Sequence, residues 1–277
     1  MLEWYQHLPG LIDPVVFRIG DVAVRWYGVL YVGAFIACGA ALWQLVRREH
    51  VEVPGEKVAD LCLWMFYGAV IGGRLGFVFF YGWTFFSVHP LAILWPFGLY
   101  DGIWLGWTGM SYFGGLMGAV AGLAWFVRRN NWFFWEWADR IALIAPLGYF
   151  LGRIANFLNG ELYGRVTQRS WGMHFPHDSS HGAVLRHPSA LYESLGEGMC
   201  LLLVLWLLRK RFVYSGQLAA FSIIGYAIVR FFLEYFREPD PQIGFIAGLT
   251  LGQWLSIAAF FIGAIVFQWL KKRNVLI

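Results

Sequence analysis

The chain has 277 residues, of which 59% are apolar, 19% aromatic and only 14% charged. Soluble globular domains carry roughly a quarter charged residues, so this composition, with a mean hydropathy of +0.56, points to an integral membrane protein and excludes the disordered, collagen-like and disulfide-scaffold classes. The net charge of +4 is no nucleic-acid footprint, because the basic residues cluster beside apolar segments.

Seven apolar stretches approach or exceed the ~20 residues that cross a bilayer as helix. They cover residues 22–46, 61–82, 108–127, 141–158, 190–208, 217–236 and 249–270. The pattern predicts an all-α polytopic membrane protein: one transmembrane domain over residues 1–277 with seven transmembrane helices, an N-terminal arm over 1–21 and a small outer head over 159–189. The run Leu91–Leu99, interrupted by Pro96, is too short to span and reads as interfacial or re-entrant. No basic segment precedes a short apolar core and small-residue cleavage site, so no cleavable signal peptide is expected.

Lys and Arg set the orientation. Arg47, Arg48 and Lys57 follow the first span, Arg128 and Arg129 the third, Arg209, Lys210 and Arg211 the fifth, and Lys271, Lys272 and Arg273 the seventh. These eleven of the 21 basic residues fall on one side, which places the N-terminus outside and the C-terminus in the cytoplasm. The loops 1–21, 83–107, 159–189 and 237–248 then face outward.

Small residues recur at four-residue spacing: Gly68, Gly72 and Gly76; Gly114, Gly118 and Gly122; Gly148 and Gly152. That spacing lets membrane helices approach closely. Cys38, Cys62 and Cys200 are unpaired in pattern and read as small core residues. His174, His177 and His181 fall in a stretch rich in Pro, Ser and Gly, which reads as a solvated loop rather than a metal site.

Ionisable groups inside spans are costly and mark function by default. Arg74, Arg153 and Arg230 lie eight, five and six residues from the outer ends of their spans, or roughly 8–12 Å deep. Three helices thus offer guanidinium groups at a similar level, and guanidinium grips phosphate with two parallel hydrogen bonds. The plainer reading is internal pairing, as between Arg230 and Glu234 one turn apart. Tyr226, Arg230 and Glu234 share one helix face, Arg153 and Asn156 are three apart, and Tyr27 sits at the outer end of the first span.

Around the fourth span the chain reads Gly152-Arg153-Ile154-Ala155-Asn156-Phe157-Leu158-Asn159-Gly160-Glu161-Leu162-Tyr163-Gly164. This resembles the signature G-R-x-[GA]-N-F-x-N-x-E-x-x-G of the bacterial prolipoprotein diacylglyceryl transferases, matching at every fixed position. Arg25-Trp26-Tyr27-Gly28, Gly72-Gly73-Arg74-Leu75-Gly76, Arg186-His187-Pro188-Ser189 with Leu191-Tyr192-Glu193, Gly225-Tyr226, and Arg237-Glu238-Pro239-Asp240 follow the family in order. The resemblance covers nearly the whole chain. It implies an enzyme of the bacterial inner membrane that moves a diacylglyceryl group from phosphatidylglycerol to the lipobox cysteine of a prelipoprotein, releasing glycerol phosphate, with no metal or organic cofactor. Under that resemblance Arg153 and Arg230 clamp the phosphate. Tyr27, Arg74, Asn156, Asn159, Glu161, Gly164 and Tyr226 bind or order the substrate, and Glu234 orients Arg230.

The resemblance departs at one place. Where many members carry a histidine, this chain reads Gly109-Met110-Ser111-Tyr112-Phe113-Gly114-Gly115, with Phe113 at the histidine position. Phe exchanges no proton, so Tyr112 becomes the candidate acid–base group, aided by arginines that lower the pKa of a nearby thiol. Phe113 also motivates the competing reading of a divergent or inactive paralogue with altered donor or acceptor. A transporter is the third reading; the absence of an inverted repeat weighs against it.

Overall fold

The computed structural model describes residues 2–20, 22–94, 109–178, 180–239 and 244–273. The second half of the Leu91–Leu99 run with Pro96, and Asp240, lie outside the described residues. The chain forms two compact units, one of residues 46–137 and one of residues 1–45 with 138–277.

All seven apolar stretches coincide with helices, with shifted boundaries. In chain order these are α3 (Trp26–Arg48), α4 (Gly55–Phe80), α6 (Tyr112–Arg129), α7 (Phe134–Leu158), the segment from α8 (Ser189–Glu193) to α9 (Leu201–Leu208), α10 (Gln217–Leu233) and α11 (Leu251–Arg273). Short helices α1 (Leu2–Gln6) and α2 (Leu8–Leu11) precede them, and α5 (Trp83–Phe86) follows α4. Five of the described helical segments are long and apolar enough to cross a membrane: Trp26–Arg48, Gly55–Phe80, Phe134–Leu158, Ser189–Arg211 and Leu251–Arg273. Helix α10 is apolar but 17 residues long.

The purely helical expectation needs one correction. Three two-stranded antiparallel ladders flank the helices: β1 (Val15–Ile19) with β2 (Val22–Arg25), β3 (Met173–His174) with β4 (Leu185–Arg186), and β5 (Phe245–Ile246) with β6 (Leu249–Thr250). The first and last displace predicted helix starts. Val22–Arg25 is apolar enough to continue a span, but its backbone pairs with β1 instead.

In the unit of residues 46–137, α4 and α6 meet along their glycines as the spacing predicts. A Cβ on Gly68 would overlap the Gly118 carbonyl oxygen, one on Gly72 the Gly114 carbonyl oxygen, and one on Gly122 the Trp64 carbonyl oxygen. Helix α6 begins at Ser111, whose hydroxyl accepts from Gly114 N–H at 3.3 Å and whose own N–H bonds Gly73 O at 2.9 Å.

In the other unit, α10 starts under an unusual cap. Gly216 takes φ +90°, and the Asp139 carboxylate, from α7, accepts from the N–H groups of Gly216 and Ala219 at 2.7 Å each. A buried acid thus answers the unpaired N–H groups of a helix start. Between α8 and α9 the chain winds as a seven-residue π-helix, Ser194–Cys200. Two glycines lie inside it at helix crossings: a Cβ on Gly198 would lie 2.6 Å from the Phe150 Cβ, and one on Gly196 3.0 Å from Val229 and Leu233. The Ser194 hydroxyl donates to Phe150 O at 3.0 Å.

The 174–182 stretch is a solvated loop only in part: His177 and His181 are exposed, whereas Phe175 and Asp178 are buried. Met173 and Phe175 are fully buried with Phe157 and Ala190, and Tyr5, Leu8 and Ile12 of the N-terminal arm pack on them. His174, placed in solvent by its polar neighbours, stacks on His7 with ring centroids 4.5 Å apart, and the Gln6 side-chain amide donates to Ser170 O at 3.1 Å. Arm and head form one small core because apolar residues spaced through polar sequence converge only in the folded chain. Cys200, read as a core residue, is exposed on its helix; Cys38 and Cys62 are half-buried.

Candidate active site

The site is a buried charge network in the unit of residues 1–45 and 138–277. Helix α7 delivers Tyr149, Arg153 and Asn156 at helical spacing, so the three share one face. Arg153 uses all three guanidinium nitrogens: Nε pairs with Glu193 Oε2 at 2.9 Å, Nη2 donates to the Tyr149 hydroxyl at 2.7 Å and Nη1 to Asn156 Oδ1 at 3.4 Å. The Asn156 amide in turn donates to Glu161 Oε1 at 2.8 Å. Asn156 therefore joins two charged groups of opposite sign and fixes both.

Helix α10 supplies Tyr226 and Arg230. Arg230 Nη1 faces Glu193 at 3.2 Å and Glu197 at 3.5 Å, and Nη2 pairs with Glu234 at 2.7 Å. The predicted Arg230–Glu234 pair is therefore present. The Thr250 hydroxyl donates to the same Glu234 at 3.2 Å. Gly252 leaves room for that carboxylate, since a Cβ there would lie within 3 Å of both its oxygens. The Tyr226 ring meets Tyr149 edge-on at 5.9 Å. A third arginine, Arg237, reaches Glu193 Oε1 at 3.4 Å. Glu193 thus holds three arginines, and it is 1% exposed, as is Glu197.

Sequence reasoning singled out the arginines and missed part of what they face. Glu193 was visible as a motif member without a role; Glu197 and Tyr149 were not singled out. A signal was present: Glu193 and Glu197 are ionisable residues inside a predicted span, four apart, and the rule that flagged the arginines applies equally to them.

Gly164 acts through the backbone. Its N–H bonds His187 O at 2.8 Å, and the next residue's N–H bonds Phe236 O at 2.9 Å. A Cβ on Gly164 would overlap the Phe236 carbonyl oxygen and come within 2.8 Å of His187. The Gly164–Arg237 bridge is thereby seated directly behind the Arg237–Glu193 contact. Arg165 Nε also donates to Arg237 O at 2.9 Å.

The head is tied by Arg186, which pairs with Asp178 and, at 3.2 Å, with Glu238. Burial pushes the Asp178 carboxyl up, but the Gly182 N–H, the Arg186 guanidinium and the Ser180 hydroxyl outweigh this and hold it at about 2. Because the folded pKa is depressed, its stabilisation is present above the ordinary carboxylate range and disappears as pH falls through about 2. Asp178→Asn should therefore cost about 3 kcal/mol near neutrality, as for a broken buried pair. The gap between the thermal midpoints of wild type and variant in detergent should narrow between pH ~4 and ~2; a gap that stays constant would show that Asp178 is not the titrating anchor.

The remaining predicted residues lie as follows. Tyr27 stands in the first turn of α3, its ring 4.5 Å from Tyr31, and it faces Glu161 and Arg153 electrostatically. Asn159 is half-buried at the end of α7, its N–H on Ala155 O at 3.0 Å. Arg74 belongs to the unit of residues 46–137. Its guanidinium donates to Ala92 O at 2.8 Å, Ile93 O at 2.9 Å and Gly109 O at 3.4 Å, and lies 5.0 Å from the Phe86 ring centroid. Tyr112 begins α6 in that unit; it is exposed, with the Phe113 ring 5.6 Å away.

Residues 14–269 match the family described as prolipoprotein diacylglyceryl transferase. The chain is 41% identical over 275 residues to the phosphatidylglycerol–prolipoprotein diacylglyceryl transferase of Chlorobaculum tepidum, covering 98% of this chain and 94% of that one. It is 40% identical to the enzyme of that name from Pseudoalteromonas atlantica, over 95% and 91% of the two chains, and 40% identical to that from Vibrio cholerae, over 99% and 97%. With Arg153, Asn156 and Glu161 of the signature joined by hydrogen bonds and the match running almost end to end, the chain belongs to the prolipoprotein diacylglyceryl transferase family.

Proposed function

We propose that this chain transfers a diacylglyceryl group from phosphatidylglycerol to the lipobox cysteine thiol of a prelipoprotein in the bacterial inner membrane. The observation that carries this reading is the meeting of Arg153 and Arg230, from two helices, on the shared carboxylate of Glu193. Both guanidinium planes are pre-set by protein carboxylates, so a lipid phosphate entering the network meets oriented donors rather than mobile ones. The thiol sulfur attacks the glycerol carbon, the C–S bond forms, and the C–O bond to phosphate breaks. The arginines stabilise the charge that collects on the departing glycerol phosphate. No cofactor is needed, because the nucleophile comes with the second substrate.

Helices α6 and α10, added to the five long segments, give seven crossings. The basic residues at the helix ends support an orientation with the N-terminus outside and the head on that side. In this reading Tyr27 and Tyr226 contact the donor lipid, and Asn156, Asn159, Glu161 and Gly164 keep its pocket in shape. Arg74 holds the segment after α5 in place. The arginines keep the thiol ionised, with Tyr112 as an auxiliary group.

The test is thioether formation by purified protein, phosphatidylglycerol and a lipobox peptide across pH. Transfer is expected. Tyr112→Phe should keep substantial activity near neutrality and lose most at low pH, where thiolate is scarce. No thioether product at any pH would overturn the assignment. A Tyr112→Phe variant inactive at every pH would make Tyr112 a primary catalytic group.

A further inference from the structure

The inner network holds three arginines, Arg153, Arg230 and Arg237, against three glutamates, Glu193, Glu197 and Glu234. Among these ion-paired groups, with Glu161 set apart behind Asn156, the formal charge is balanced before any lipid arrives. A phosphodiester brings one negative charge into this buried place, and an uncompensated charge away from water is costly. One carboxylate must take a proton if the balance is to survive binding.

The three carboxylates are not equally held. Glu193 contacts three arginines at 2.9–3.4 Å. Glu234 has Arg230 at 2.7 Å and the Thr250 hydroxyl at 3.2 Å. Among the described residues Glu197 has one ion-pair contact, Arg230 at 3.5 Å, the longest in the network, and beside it the Tyr149 hydroxyl. The groups facing it are Arg230 from α10, Arg153 and Tyr149 from α7, and Glu193 from its own helix. A phosphate drawn to Arg230 weakens the contact Glu197 has and adds a like charge beside it. The carboxylate least tied to the network is also the one the incoming phosphate would crowd.

We propose that Glu197 takes up a proton when the donor phosphate binds and then acts as the general acid that protonates the departing glycerol phosphate. The inference rests on the phosphate clamp described above and adds a catalytic residue to it. The balance is simple. The lipobox thiolate, having lost its proton to solvent, forms the C–S bond as the C–O bond breaks. The glycerol phosphate would leave as a dianion; the Glu197 carboxyl gives its proton to a phosphate oxygen, and a monoanion departs. Glu197 returns to carboxylate and pairs again with Arg230. One proton enters with the donor and one leaves from the thiol.

The experiment measures proton uptake in weakly buffered mixed micelles at pH 8 as full-length protein binds dioleoylphosphatidylglycerol, together with kcat, KM and the pH profile of transfer. Wild type should take up close to one proton per lipid bound. Glu197→Gln should bind the lipid as well as wild type with no proton uptake, because a neutral amide already mimics the protonated acid. Its kcat should fall at least about a hundredfold, the usual scale of a lost general acid, and the alkaline fall in kcat should vanish. Glu197→Asp should retain uptake and part of kcat. A merely structural role would lower lipid binding and leave the shape of the pH profile alone. Lipid binding by wild type without proton uptake overturns the proposal, as does a Glu197→Gln enzyme with kcat near wild type; the first result holds even if the variant fails to insert. Arg153→Lys and Arg230→Lys separate the two ideas. If both bind the lipid like wild type, the phosphate clamp itself is wrong, whereas lost binding there with unchanged kcat in Glu197→Gln removes the acid alone.

Discussion

Arg230→Lys should lower transfer to a lipobox peptide by about 10²–10³-fold, the scale found when one oriented donor to a developing oxyanion is removed, while the protein still inserts. The reason is geometric. Arg230 meets Glu193 and Glu197 through one nitrogen and Glu234 through another, and its planar fork holds these directions at once. A lysine ammonium is a point charge on a flexible stem. It would settle on one glutamate, leave the others uncompensated and offer the phosphate no fixed pair of donors. Arg153→Lys should behave similarly, since Arg153 divides its nitrogens among Glu193, Tyr149 and Asn156. Thioether formation with purified variants, checked for monodispersity in detergent, measures the effect. Full activity in both variants would sink the fork-based account.

Gly164→Ala should cost at least about 2–3 kcal/mol, in the range of an overpacked buried position, and should reduce transfer without touching a charged residue. The added methyl has no flexible neighbour to push aside, because it meets the carbonyl of Phe236 and the Cβ and carbonyl of His187. The backbone must open there, and Arg237 leaves Glu193. Amide hydrogen exchange should report it directly: the N–H groups of Gly164, Arg165 and His187, bonded at 2.8–3.0 Å, should lose protection. Wild-type protection and thermal midpoint in the alanine variant would show that the ladder tolerates the methyl.

The helical framework was legible because a bilayer demands long apolar runs, and each predicted run holds a helix. Boundaries were less so. Val22–Val24 and Leu249 adjoin apolar spans, and hydropathy alone does not separate a strand that pairs locally from the first turn of a span. The glycine spacing on α4 and α6 could be read because it acts at close range and with a fixed period. The arginines were legible as expensive charges. Their arrangement was not, because it depends on contacts between residues far apart: Arg153 and Glu193 are 40 positions apart, and Arg237 reaches Glu193 from beyond α10. Gly164 looked like a ligand-pocket residue in the signature, whereas its neighbours in the fold are backbone atoms supplied by residues 187 and 236. The burial of Phe175 within the 174–182 stretch was missed for the same reason. Met173 and Phe175 sit in a polar stretch, and their apolar partners come from the first twelve residues and from α7.

The seven-residue π-helix at Ser194–Cys200 separates two quantities that an ordinary span ties together. In an α-helix each residue adds about 1.5 Å of height and about 100° of turn, so the face a residue presents follows from its distance along the chain. The wider winding here breaks that link. Were the same residues wound as α-helix, the half bearing Glu193 would present a different face relative to the apolar half at Leu201–Leu208. The apolar half and the charged half can then be fitted to their surroundings independently, like two dials on one shaft, with Gly196 and Gly198 letting neighbouring helices pack close where the winding changes.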